Sequence, residues 1–332
     1  MNQDSERKSP NTVEQVSRRI SVIMPSFNAA NTIAQSIDCV LRQTHEDIEL
    51  IVVDDGSSDT TVRIVEAYVD EHPGRIRLLQ QDHKGPYPAR NLALRHATGE
   101  FIAFLDADDT WTLDCLARLL AAVEAHDADI AYCGWQNVGP AAPGSQPFVP
   151  PAYEEGDPIA AWLRSCPWPI HAALTRRTAI EAVGGFSERM FTSMDYDLWI
   201  RLVAHTRRMV RVPEVMAFYH WRGNQISSDR SRQVLNSVQV RRDFIVTHSD
   251  LVAHLGRARL RELVDGYLMD RAYQAFWRRE LRTSQLLLRE SWRTHSWRLC
   301  DLPYVALAML PARAFESLVR ARDRSRDTGE AR

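Results

Sequence analysis

Asp106 and Asp108 stand one residue apart after an apolar run, Phe101 to Leu105, and Asp54 and Asp55 follow another, Ile51 to Val53. In a D-x-D spacing two carboxylates can leave a strand end on the same side and share one hard divalent cation, with positions left open for phosphate oxygens. Asp54-Asp55-Gly56-Ser57 adds acceptors for a polar ligand at a strand-to-helix turn. Each cluster alone also suits plain structure, because Asp, Gly and Ser bond to local backbone in turns and Asp109-Thr110 can cap a following helix. Together they suggest one site, since ligands of an open parallel α/β sheet bind in the crevice outside the carboxyl ends of the strands. A cation and a nucleoside diphosphate are what such a site would hold.

The elements that must position these groups can be read from apolar spacing. Ile20 to Met24 is a strand ending at Pro25-Ser26-Phe27-Asn28, and Thr32 to Arg42 carries Ile33, Ile37, Val40 and Leu41 at helical intervals. Glu49 to Val53 gives a second strand, Asp59 to Val69 a helix behind the capping candidates Ser57 and Ser58, and Arg75 to Leu79 a third strand. Gln81 to Pro88, with Gly85, Pro86 and Pro88, reads as a loop, Ala89 to Ala97 as a short helix, and Gly99 turns the chain into the fourth strand. A helix over Leu113 to Ala125 and a strand over Ile130 to Trp135 follow. Gly139 to Pro158 reads as an irregular excursion, and order returns at Ile170 to Val183, the turn Gly184-Gly185-Phe186 and a helix over Asp197 to Ala204. From Val234 onward the pattern is helical and rich in Arg and Trp. The alternation predicts an α/β fold with a largely parallel sheet covered on both faces.

The 332 residues, 45% hydrophobic and 25% charged with a net charge of -2, are those of an ordinary globular protein. That balance gives no reason to expect nucleic acid as a partner. The charge is uneven: 21 basic and 31 acidic residues precede Arg230, and 20 Arg and 12 acidic residues follow from it. The expected organisation is a disordered tail over 1–17, a catalytic domain over 18–229 and an Arg/Trp-rich helical region over 230–332. Cys39, Cys115, Cys133, Cys166 and Cys300 lie far apart and read as buried thiols of a reducing compartment. The first 17 residues lack an apolar stretch, and Val305 to Leu310 is too short to span a bilayer, so a cytoplasmic protein is expected. The basic tail has three readings: Arg278, Arg279, Arg282, Arg289, Arg293 and Arg298, with Trp277, Trp292 and Trp297, could rest peripherally on an anionic membrane, pack as a cap on the sheet, or form a homodimer contact.

Two α/β competitors fall away, because Pro25-Ser26-Phe27-Asn28 replaces the G-x-G-x-x-G of a dinucleotide site and no Walker sequence is present. A nucleotidyltransferase would need a basic loop after the first strand, and Pro25 to Asn31 contains no Lys or Arg. The segments Ser21 to Asn28, Val53 to Asp59, Ala89-Arg90-Asn91, Phe104 to Asp109, Gly184-Gly185-Phe186 and Asp195 to Trp199 resemble, in order, the motifs of family 2 glycosyltransferases of the GT-A fold, across about residues 19 to 228.

The resemblance implies a GT-A nucleotide-binding sheet with a C-terminal helical extension, and an inverting, metal-dependent transfer of sugar from a nucleoside-diphosphate sugar, UDP-linked by expectation. The acceptor would be a hydroxyl of a polysaccharide or of a lipid-linked saccharide. By position, Asp55 would accept from the nucleobase, with Pro25, Phe27 and Asn28 near the base, Asp54 supporting the loop and Arg90 reaching the nucleotide. Asp108 would ligate Mg²⁺ or Mn²⁺, with Asp106 toward the ribose and sugar, and Asp195 matches the base that activates the acceptor. Met194 stands where the family often has Glu, which keeps a non-catalytic sugar-nucleotide-binding scaffold as the alternative. Tyr219 to Ser227 resembles the segment that closes over the diphosphate, with His220 as a metal ligand or Arg222 as a phosphate clamp. Trp162, Trp168 and His171 lie between these motifs, and Trp168 and His171 are expected to face the acceptor.

Overall fold

β1 (Ile20–Ser26), β2 (Ile48–Asp54) and β4 (Phe101–Phe104) are buried along their whole length, as central strands of a parallel sheet covered on both faces must be. The computed structural model describes residues 18–140, 142, 144–222 and 230–327; the expected tail over 1–17 and the segment Gly223 to Ser227 lie outside them. Helices α1 (Ile33–Leu41), α2 (Thr61–Glu71) and α3 (Pro86–His96) connect β1, β2, β3 (Ile76–Gln80) and β4 in parallel. α3 begins at Pro86, earlier than the expected loop allows. Proline is tolerated in a first helical turn because the amide it lacks would have no partner there.

Beyond β4 come β5 (Thr110–Trp111), α4 (Cys115–His126), β6 (Ile130–Val138), α5 (Pro158–Arg164), β7 (Ala173–Arg176), α6 (Arg177–Ala182), α7 (Met194–His205) and β8 (Met209–His220). The eight strands run in the order β3-β2-β1-β4-β7-β6-β8-β5, with β7 antiparallel to both neighbours and β5 antiparallel to β8. β8 is absent from the sequence reading because Pro213-Glu214 interrupts its pattern. The sheet absorbs that pair as an irregularity, Cys133 pairing with Val212 and Gly134 with Val215. α5 begins at Pro158, where the expected irregular excursion ends, and is capped by Asp157, whose side chain accepts from the Ala160 amide.

α8 (Arg230–Thr247) leaves the body and leads to α9 (Ser249–Val252), α10 (Gly256–Arg261), α11 (Tyr267–Trp277), α12 (Leu281–Arg293), α13 (Leu302–Ala308) and α14 (Ala312–Asp327). Val240 and Phe244 of α8 belong to the sheet's core, while Val238, Leu268, Phe276, Leu288, Val305 and Phe315 form a second core among the helices. α8 therefore serves both units. Trp277 and Trp292 are about half exposed, as are Leu286 and Leu318. Among the described residues no single helix is long and apolar enough to cross a membrane. Cys39, Cys115 and Cys133 are buried as expected, whereas Cys166, which follows α5, and Cys300, which precedes α13, are exposed.

Candidate active site

The carboxyl ends of β1, β2 and β4 lie on one edge because these strands are parallel neighbours. Pro25 closes β1 as a buried residue, with Phe27 exposed beyond it and Asn28 in a left-handed turn at φ 49°. The Asn28 amide donates to Ser57 Oγ, and its own Oδ1 accepts from the Ser58 amide, which ties the loop after β1 to the loop after β2. Asp54 Oδ2 accepts from the Ser57 amide at 2.9 Å, an Asx-type turn, and its Oδ1 is buried without a partner.

Asp55 is 3% exposed and organises the loop after β3. Oδ1 accepts from Gln81 Nε2 and the Lys84 amide, and Oδ2 from the Gly85 amide, with His83 Nδ1 at 2.8 Å. These partners fill the carboxylate's acceptor sites, so a base would share Asp55 with the loop. The His83 ring stacks on Phe27, centroids 4.1 Å apart, and the two present an aromatic shelf beside Asp55. Gln81 and His83 carried no signal in the sequence, their bonds to Asp55 being long-range.

Arg90 is buried and forms an ion pair with Asp106, with its guanidinium over the rings of Tyr87 and Phe186. It therefore acts on the edge through Asp106 and does not line it. Asp108 is half-buried. Asp109, read only as a cap, is fully buried: Oδ1 accepts from the His220 amide at 2.9 Å, and Oδ2 lies 3.2 Å from Nδ1 of the equally buried His171. Burial and the charges of Asp108 and Asp106 push Asp109 well above the usual carboxylate range, and burial drives His171 down to about 4. The His171 imidazole is thus neutral at physiological pH, and Asp109 is shifted toward its protonated form. His220 arrives from β8 with Nε2 3.0 Å from Thr110 Oγ1, and burial together with Arg222 lowers its pKa, so its imidazole is neutral. Arg222 is exposed, and its charge acts on both His220 and Asp109.

α7 starts at Met194, earlier than the expected Asp197, which puts Asp195 in its first turn. Burial pushes the Asp195 carboxyl up, the Tyr196 amide and Arg90 counter this, and Asp106 adds to it. The charge of Asp195 also acts on Tyr87 and Arg90, so the candidate base sits within electrostatic reach of Asp106 and its arginine partner. Asp197 is spent elsewhere, on Arg189 and Arg201 at 2.9 and 2.8 Å.

Two expectations are corrected. Trp168 is 1% exposed, stacks on Tyr132 at 4.3 Å and packs against Trp162, Tyr153 and Trp199, so it is a core residue with no face for an acceptor. His171 is sealed beneath the acid cluster, parallel to the Tyr219 ring, and likewise offers no surface. Flat aromatic residues fill a wide interior as readily as they bind sugar, and sequence position does not separate the two.

The donor set fits a hard divalent cation. The charges of Asp108 and Asp106 raise the pKa of Asp109, and next to a neutral imidazole these groups supply oxygen and nitrogen ligands whose crowded charge a cation relieves. Among the described residues no three such groups form a closed metal cluster. Mg²⁺ commonly takes only one or two protein carboxylates and completes its shell with phosphate and water.

Residues 21–180 match Glycosyl transferase family 2. The chain is 31% identical over 228 residues to the UDP-Glc:alpha-D-GlcNAc-diphosphoundecaprenol beta-1,3-glucosyltransferase WfgD of Escherichia coli, covering 68% of this chain and 86% of that one. It is 30% identical over 210 residues to the amylovoran biosynthesis glycosyltransferase AmsB of Erwinia amylovora, 60% of this chain and 69% of the relative. In fold it is similar to S. aureus TarS 1-349 in complex with UDP-GlcNAc, with TM-score 0.65, 19% identity and 92% of each chain covered. It is similar also to the mannosyltransferase PcManGT of Pyrobaculum calidifontis in complex with GDP-Man and Mn²⁺, with TM-score 0.58, 21% identity and 94% and 88% covered.

Proposed function

This chain belongs to glycosyl transferase family 2 and is a glycosyltransferase of the GT-A fold, and from that membership we propose that it transfers a sugar from a UDP-sugar, with inversion, to a hydroxyl of a polysaccharide or lipid-linked saccharide acceptor. The observation that carries the reading is the meeting, on one sheet edge, of the Asp55 loop, the Asp106 to Asp109 cluster, His220 and Asp195. The Phe27–His83 stack and Asp55 form the nucleobase side, the uracil N–H sharing Asp55 with the loop amides. Asp108 and His220 are the residues that would hold Mg²⁺ or Mn²⁺, which when bound would withdraw charge from the leaving diphosphate, with Asp106 toward the ribose and sugar. Arg222 adds an exposed positive charge beside the same phosphates.

Asp195 takes the proton of the acceptor hydroxyl as that oxygen bonds to the anomeric carbon and the carbon–oxygen bond to the diphosphate breaks. One displacement with one base inverts the anomeric centre, and UDP leaves. The upward push on Asp195 makes it a better proton acceptor than an ordinary surface Asp. The half-exposed Trp277 and Trp292, followed in the chain by Arg278, Arg279 and Arg293, suit a peripheral contact with an anionic membrane that would present a lipid-linked acceptor.

Calorimetric titration of UDP with and without Mn²⁺, followed by a screen of UDP-sugars for UDP release, tests the reading. Metal-dependent binding with slow hydrolysis of one donor supports it. Binding without turnover, even with acceptors supplied, would leave a sugar-nucleotide-binding scaffold, and absence of UDP binding would remove Asp55 from the nucleobase.

A further inference from the structure

The C-terminal helices meet the catalytic body around a cavity of about 450 Å³ that the transfer chemistry leaves unused. Four arginines line it, Arg230 and Arg241 from α8 with Arg271 and Arg278 at α11, and Glu280 is the one carboxylate among its lining residues. Glu280 is spent on Arg230 at 2.8 Å. Arg241 is 1% exposed, yet among the described residues no carboxylate pairs with it. Its guanidinium donates to the carbonyls of Leu163, Arg164 and Ser237 and lies over the rings of Tyr196 and Tyr267. Arg271 lies over the same Tyr267 ring, 5.0 Å from its centroid. Neither Arg271 nor Arg278 has a carboxylate partner among the described residues.

A buried guanidinium compensated only by carbonyl dipoles and ring faces leaves a positive potential, and further guanidiniums beside it strengthen that potential. The planar fork of arginine matches phosphate oxygens and binds them by two parallel hydrogen bonds. The cavity also lies beside the start of α7, which carries the candidate base. Tyr196, under the Arg241 guanidinium, follows Asp195 directly, and Ser237 on the lining meets Ser193, the residue that precedes α7, at 3.2 Å.

We propose that this cavity is an anion subsite that holds a phosphate or diphosphate group of the acceptor, through Arg241, Arg271 and Arg278, while the acceptor's sugar hydroxyl faces Asp195. The proposal rests on the transferase reading and adds to it that the acceptor carries phosphate. A lipid-linked saccharide diphosphate and a polymer phosphodiester share this chemistry.

The full chain, saturated with UDP and Mg²⁺ so that the donor edge is filled, is titrated with citronellyl phosphate and, separately, with bis-glycerol phosphate. Both the wild type and Arg271→Gln/Arg278→Gln are compared, together with Glu280→Gln. The expected result is binding that weakens about tenfold in the double variant and tightens several-fold in Glu280→Gln, with UDP affinity unchanged in both. A gain in Glu280→Gln cannot come from misfolding. Tighter binding of the lipid monoester assigns the subsite to a lipid-linked acceptor, and tighter binding of the diester assigns it to a polymer. Equal affinity across the variants, or no phosphate binding while UDP still binds, overturns the subsite alone. Failure of UDP to bind overturns the transferase premise.

Discussion

At the amino edge of the sheet, Glu49 Oε1 accepts from Ser21 Oγ, the Thr98 amide and hydroxyl, and the Gly99 amide, at 2.5 to 3.1 Å. Asp129 on the same edge accepts from Thr206 and twice from Arg208. At the carboxyl edge, Asp54 Oδ1, Asp109 Oδ2 and both nitrogens of His171 are buried without a hydrogen-bond partner. The pKa directions divide in the same way. Burial pushes Glu49 and Asp129 up, but the hydrogen bonds from Ser21 and Thr98, and from Arg208 and Thr206, hold both below their ordinary values. Burial wins at Asp109 and Asp195, which stay above theirs. A carboxylate with its partners in place serves the fold, whereas a cluster left short of partners is held ready for a ligand or a proton.

The largest effect should come from Asp195→Asn. If Asp195 is the base, kcat falls by about 10²–10⁴-fold while the UDP-sugar dissociation constant stays within about twofold. Thermal stability should move the other way. A folded-state pKa above the unfolded one contributes stability that is present at low pH and is lost as pH rises through it, so at neutral pH the ionised Asp195 is a burden that Asn removes. A higher Tm with lost turnover would mark functional strain, while a lower Tm would place Asp195 with Glu49. In the wild type, the acidic limb of kcat/KM should lie above 3.8, the ordinary value for Asp. A limb at or below that value would detach the rate from this group.

Asp108→Asn comes next, with a loss of transfer on the order of a hundredfold and little change in Tm. Calorimetry should show that Mn²⁺ no longer strengthens UDP binding in this variant. Normal metal dependence would remove Asp108 from the metal site.

Glu49→Gln tests the opposite edge. A neutral amide oxygen accepts these bonds more weakly than a charged carboxylate oxygen, and the amide nitrogen would take the place of Oε2, which faces Arg19 at 3.8 Å, so a stability loss of about 2 kcal/mol is expected, with kcat/KM per folded molecule unchanged. The sign with pH follows from the lowered pKa: Glu49 contributes its stability above the ordinary Glu value, and the contribution is lost as pH falls through the folded one. Denaturant midpoints of wild type and variant should therefore converge in acid. A variant as stable as wild type but slow in turnover would erase the distinction between the edges.

The parallel strands and their helices were legible because Ile20 to Met24 and Glu49 to Val53 are short apolar runs bounded by turn residues. The D-x-D spacing and Asp195 were legible as motifs. What stayed hidden was set by contacts distant in the chain. β8 is broken in pattern by Pro213-Glu214 and made continuous only by pairing with β6. The partners of Asp55 lie 26 to 30 residues further on, in a loop that no periodicity marks. Asp109 looked like a cap because its burial depends on His171 and on the backbone of His220, both brought in by the sheet. Trp168 was misread because residue type does not tell which side of the chain the interior lies on.

The smallest effect expected on the carboxyl edge belongs to His83, and it sharpens the contrast because His83 holds Asp55 and shelves Phe27 at once. If the Phe27–His83 stack is the face on which a base rests, His83→Ala should weaken UDP by about 1 kcal/mol, or about fivefold. Asp55 would keep the amides of Lys84 and Gly85, so the loop should stay in place and Tm should change little. Titration with ribose 5-phosphate, which has no base, separates a stacking role from a structural one. A loss confined to UDP assigns His83 to the nucleobase. An equal loss for both ligands, or a fall in Tm with UDP binding intact, would make His83 a support for Asp55 of the same kind as Thr98 for Glu49, and the line between the two edges would then have to be drawn inside the Asp55 loop itself.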